Sequence, residues 1–216
     1  VTLARRGKPG ILAHRPQPPA IHGWVHTARV RVFARVGLRR AGVVGVIWVV
    51  CGYSLAFGTG NAFIGDFSKV MLNGVTLDSV VANFATPPRN IPEYVFVMFQ
   101  GMFAIITPAL ILGAIAERMK FSAWLAFITV WILVVYCPIA HMVWGSEGWI
   151  FKSGAIDFAG GLVVHMSSGF SAILAAVMLG KRRGFGKEPM PPHSLPLCMI
   201  GAGLLLTLPA VTALLV

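Results

Sequence analysis

From Ala41 onward the sequence alternates long uncharged stretches with short charged or glycine-rich ones, and the stretches are too uniformly apolar to offer water a polar face. Phe158 to Leu179 is the clearest case. It carries no formal charge and, at about 1.5 Å per residue, is long enough to cross a hydrocarbon core of roughly 30 Å. Asp157 stands where an N-cap belongs, able to accept backbone N–H groups of the first turn, and Lys181, Arg182 and Arg183 complement the negative helix end. Gly161, His165, Ser168, Ala172 and Ala176 recur at helical spacing as a stripe of small residues around one histidine. On this spacing His165 faces protein, not lipid.

Four further segments follow the same rule. Gly42 to Phe57 is apolar but shorter than the roughly 20 residues of a span, as if its beginning were missing. Gly58 to Asn90 is polar and holds Gly58, Gly60, Gly65, Gly74, Pro87 and Pro88, too broken for a helix of any length. A second span is expected from Pro92, as first helical residue, to Ala116, with Pro108 as a possible kink. A third runs from Phe121 to about Val143, followed by a short connection, Trp144 to Ile156, with Gly145, Gly148 and Gly154. After the Asp157 helix and a basic loop, a fifth apolar run extends from Leu195 to Val216 and is interrupted by Pro209. The fold class is therefore all-α, a polytopic membrane helix bundle of about five spans.

Charge sets the orientation. Arg39 and Arg40, then Arg118 and Lys120, then Lys181, Arg182, Arg183 and Lys187 fall at alternate connections, which the positive-inside rule assigns to the cytoplasm. The loops holding Asp66 and Trp144 are then external.

Composition changes this picture at one end only. Hydrophobic residues make up 56% of the 216 and charged residues 12%, as in membrane proteins, yet the net charge is +11. Nine of the eighteen Lys and Arg lie in residues 1–40, which contain no acid; the rest of the chain, nine bases against seven acids, is nearly balanced. Residues 1–40 also carry Pro9, Pro16, Pro18 and Pro19 and no spanning run, so they read as a basic, disordered segment distinct from a membrane domain at 41–216. A transit peptide and an arm for nucleic acid or anionic lipid are alternatives; the favoured reading is a segment not native to the protein, translated in the wrong frame of a G+C-rich gene. Cys51, Cys137 and Cys198 are scattered singly in apolar segments, with no spacing for zinc or a disulfide, and read as small buried hydrophobes.

Four kinds of residue carry candidate chemistry. Trp144, at the outer end of a span, is either an interfacial belt tryptophan or a ring face for a cation. Phe99 and Phe103, one turn apart, are either core packing or two rings along one path. His165, about eight residues inside the outer helix end, is either a satisfied structural histidine or a pathway group, since ionisable side chains at membrane depth are costly. Asp157 is a plain cap or a cap that also orders groups near a cation.

The motifs then converge. The segment Asp157 to Arg182, with Trp48 to Gly58 (WVVCGYSLAFG), Phe99 to Phe103 (FQGMF), Gly113 to Phe121 (GAIAERMKF), Pro138 to Gly145 (PIAHMVWG) and Gly180 to Glu188 (GKRRGFGKE), resembles the ammonium transporters of the Amt/Mep/Rh superfamily, most closely the bacterial Amt type. The resemblance covers about Ala41 to Leu205. It implies an eleven-helix bundle of two five-helix inverted repeats, one pore per subunit, assembled as a homotrimer in the cell (inner) membrane. The chain would hold the second through fifth helices and part of the sixth.

By that resemblance Trp144, Phe103 and Asp157 belong to an external recruitment site for ammonium or methylammonium, Phe99 and Phe103 are the outer gate, and His165 is the first of two pore histidines. His193 lies in a loop and cannot serve as the second. The implied activity is ammonium uptake, with the cation deprotonated and ammonia, or ammonia and a relayed proton, conducted; an ammonium sensor or regulatory membrane subunit and an Rh-type neutral gas channel are the alternatives. No enzyme chemistry, cofactor, metal or nucleic-acid partner is implied. Lys181 to Lys187 is a topology signal that can also touch a PII-type signal protein. The 216 residues alone are expected not to conduct.

Overall fold

A computed structural model of the chain describes residues 39, 41–82, 90–116, 118–181, 185–186 and 194–203. Expectations on residues 1–38, Arg40, Arg182, Arg183, Lys187, His193 and Pro209 lie outside them. The helices are α1 (Ala41–Phe57), α2 (Glu93–Ile115), α3 (residues 121–144), α4 (Trp149–Lys152), α5 (Gly161–Leu179) and α6 (residues 195–203). Three stretches among the described residues are long and apolar enough to cross a membrane: Glu93–Ile115, Phe121–Lys152 and Gly161–Leu179. The architecture is a partial membrane helix bundle.

Its core forms where α1, α2 and α3 meet. Trp48, Tyr53, Trp124, Ile128, Trp131, Ile132 and Tyr136 are buried there, and Trp48 meets Tyr53, Phe57 and Tyr136 edge-on with ring centroids 6.0–6.4 Å apart. The Trp48 indole N–H donates to Val97 O at 3.0 Å, which satisfies a polar atom that burial would otherwise penalise. Helix α5 closes on this core, its Ser171 hydroxyl accepting from the Trp131 indole at 2.9 Å.

The basic connections gather at one end, as the orientation requires. Arg118 donates to the carbonyls of Ala114, Ala176 and Gly180, capping the last turns of α2 and α5. The Arg39 guanidinium stands 5.7 Å from the ring centroid of Phe121 at the start of α3.

Several boundaries differ from those expected. Pro92 caps α2 in an extended conformation and ends a strand, so the helix begins at Glu93. The segment after α1, expected as a polar loop too broken for a helix, contains a 3₁₀ turn, Val70–Leu72, and a strand, β1 (Val80–Ala82), that pairs antiparallel with β2 (Asn90–Pro92). The connection after Trp144 contains the single turn α4. Cys137 is buried, whereas Cys51 is half-buried and Cys198 exposed among the described residues, so only the first is the packed hydrophobe anticipated.

Helix α5 starts at Gly161, three residues later than the uncharged run suggests. Gly160 has φ 79°, a left-handed conformation that only glycine adopts cheaply, and its added Cβ would lie 2.6 Å from Val164 Cγ2. The chain therefore turns sharply before the helix can begin.

Each of α1, α3 and α5 contains a wider π-helical stretch, at Trp48–Gly52, Ile132–Tyr136 and Gly161–Met166. The His165 amide reaches Gly160 O at 2.9 Å across that wider turn. Residues in a π turn advance by a smaller angle than in an α turn, so positions before and after it no longer share one face.

Candidate functional site

Opposite the basic end, α2, α3 and α5 bring four of the five expected site residues into one connected series. The rings of Phe99 and Phe103 meet edge-on at 5.1 Å, and Phe103 tilts against Trp144 at 5.5 Å. Phe99 is 58% exposed and Trp144 only 9%, so the series passes from an open face of the bundle to a nearly closed one. The Trp144 indole N–H donates to Asp157 O at 2.8 Å.

Asp157 uses its backbone for Trp144 and its side chain for α5. Oδ1 accepts from Gly161 N at 2.7 Å, and Oδ2 accepts from both Leu162 N and Val163 N at 3.0 Å. The carboxylate caps the helix from four residues outside it, so three of the amide groups that every helix start leaves unpaired are satisfied by one side chain.

Replacing Asp157 by Ala is expected to cost about 1–2 kcal/mol in stability, seen as a lower melting temperature in detergent. Asn should recover little, although it is ordinarily as good a cap as Asp, because it offers one acceptor where this turn uses two. An Asn variant as stable as the parent would contradict the two-oxygen cap.

His165 lies in the first turns of α5, beyond the Asp157 cap. It is exposed, while Val163, Val164 and Ser168 beside it are buried, and its ring has no hydrogen-bond partner among the described residues. The π turn at Gly161–Met166 shifts the helical register, so Ser168 is packed while His165 lies on a face that the described residues leave open. Phe99 and His165 thus share a property: each presents a side chain that the described residues leave uncovered.

Sequence reasoning missed two buried polar groups at this end. His141 is fully buried, with Nδ1 3.0 Å from Ala56 O and Nε2 2.7 Å from Asn61 O. It fastens the end of α1 and the following loop to α3, one turn before Trp144. Glu93 is 3% exposed, accepts the Tyr53 hydroxyl at 2.8 Å and pairs with Lys69. Both pairings span 24 residues or more in sequence, which local spacing does not reveal; an acid in the first turn after Pro92 was the one visible sign. In the loop that carries Lys69, hydroxyls of Ser68 and Thr59 bond the Asp66 carboxylate and hold it below the usual carboxyl range. No group of three or more potential metal ligands occurs among the described residues.

A sequence model described as the Ammonium Transporter Family matches residues 28–208. The chain is 42% identical over 183 residues to an ammonium transporter of Bacillus subtilis (strain 168), covering 85% of this chain and 43% of that protein. Among solved structures, it is similar to the N240A mutant of Candida albicans Mep2, with TM-score 0.64 and 37% identity over 76% of this chain and 36% of that one. A structure described as Sensor Amt Protein matches with TM-score 0.63 and 28% identity, over 76% of this chain and 41% of that one. The chain spans about two fifths of the length of the curated relatives it matches.

Proposed function

Because the chain belongs to the ammonium transporter family, we propose that its membrane domain, residues 41–216, forms one wall of an ammonium uptake path. The observation that carries this reading is the series Phe99, Phe103 and Trp144, anchored through Asp157 to the helix that bears His165.

Moving a cation into an apolar path costs several kcal/mol or more unless its charge is compensated or removed. The wall meets this in two stages. Trp144 offers its ring to external ammonium, an attraction of about 0.5–2 kcal/mol depending on desolvation. Asp157 acts indirectly, holding the indole and the helix start in place, since both carboxylate oxygens are committed to backbone amides. The ammonium loses its proton near Phe103, Phe99 and Phe103 gate the passage, and ammonia, or ammonia with a relayed proton, moves on past His165. A neutral imidazole both donates and accepts a hydrogen bond, so it binds ammonia without fixing a charge at that depth.

Phe99 and His165 stand on open faces, which supports a path completed by a facing wall; the 216 residues on their own are then non-conducting. The family reading extends to a homotrimer in the cell (inner) membrane and to contact of the cytoplasmic loops with a PII-type protein. The likeness to a sensor protein favours, as a second reading, an ammonium sensor using the same recruitment site.

The test is methylammonium uptake by vesicles carrying this chain joined to the remainder of its Bacillus subtilis relative. Uptake should be displaced by excess ammonium and unaffected by equal potassium. Displacement by potassium, or no uptake while the relative itself is active, would overturn the reading.

A further inference from the structure

The Glu93 carboxylate is the most deeply buried acid among the described residues, and the path just described makes no use of it. Its side chain is 4% exposed, against 31% for that of Lys69. Lys69 Nζ donates to Glu93 Oε1, the same oxygen takes the Tyr53 hydroxyl at 2.8 Å, and Nζ stands 5.8 Å from the centroid of the Tyr53 ring. Carboxylate and aromatic face therefore converge on one primary ammonium group, the Tyr53 hydroxyl donates to the same carboxylate oxygen, and the helix start beneath Glu93 favours its negative charge.

The loop is built to deliver that ammonium. The Lys69 amide donates to the Ser54 hydroxyl at 2.9 Å, and Ser54 donates in turn to Asp66 O at 2.8 Å. Directly after Val70 the chain passes through two left-handed non-glycine residues, Met71 (φ 55°) and Leu72 (φ 58°), a conformation held only where surrounding contacts over-determine it.

We propose that Glu93 and Tyr53 form a binding site for a primary alkylammonium group whose resident is the chain's own Lys69. The site recognises N–H donors: a quaternary cation reaches the ring but gives the carboxylate no hydrogen bond. Removing the Lys69 ammonium leaves a buried charge uncompensated, and a small primary amine from solution takes its place.

The experiment is thermal unfolding of the purified chain in detergent, read without any transport step and so independent of the proposed function. Lys69→Ala should melt below the parent, and n-propylammonium should restore at least half of the loss in a saturable way, while tetramethylammonium at equal ionic strength restores none. The double variant Lys69→Ala/Glu93→Gln should show no response to the amine. If Lys69→Ala does not fold unaided, the readout becomes folded yield from expression with and without n-propylammonium. Equal effects of the two cations, no effect of either, or a response that survives Glu93→Gln overturns the proposal.

Discussion

With His165 replaced by leucine in the joined transporter, methylammonium uptake falls by about 10- to 100-fold at every external concentration, the equivalent of losing a hydrogen bond of roughly 1–3 kcal/mol where nothing else can replace it. The neighbours of His165 in its π turn, Leu162, Val163, Val164 and Met166, are all apolar. Leucine preserves bulk and removes the one group there able to donate and accept. Glutamine also donates and accepts, and should recover part of the rate. Initial rates of labelled methylammonium uptake decide the point. A leucine variant with an unchanged maximal rate and only a weaker apparent affinity would move His165 from the path to its mouth.

Trp144→Leu should act in the opposite manner. The concentration at half-maximal uptake rises by about 2- to 30-fold, matching a cation–ring attraction of roughly 0.5–2 kcal/mol, while the rate at saturation changes little. Trp144→Phe separates the two roles of the side chain, because it keeps a ring face beside Phe103 and loses the indole donor to Asp157 O. It should fall between parent and leucine. If leucine leaves the half-saturation value where it was, Trp144 is an interfacial anchor and recruitment lies elsewhere.

What the sequence revealed, and what it concealed, divides by the range of the interaction. Spans around α2, α3 and α5 were legible because hydropathy is a property of consecutive residues. The gathering of basic connections at one end of the bundle was legible too, and Arg118 bridging to Gly180 O brings two of them together. Asp157 was recognisable as a cap, although not as one acting across a glycine turn on three amides at once. The stripe that carries His165 was legible but the π stretch within it was not, because such a turn leaves no trace in a pattern of apolar positions.

The pairing of Lys69 with Glu93 and the double attachment of His141 lay further out of reach. Each joins segments distant in sequence, and nothing local to either residue names its partner. The short ribbon of β1 and β2 escaped for a related reason: three-residue strands carry too little alternation to stand out from a polar, proline-containing loop.

The most direct test of a one-walled ammonium path is methylammonium uptake by vesicles carrying the 216 residues alone, beside vesicles carrying the joined transporter at equal protein density. The account predicts uptake, displaced by ammonium, in the joined transporter only. Ammonium-sensitive uptake by the 216 residues alone would contradict it, because a wall that leaves Phe99 and His165 uncovered would then be conducting without the surface that is to face them.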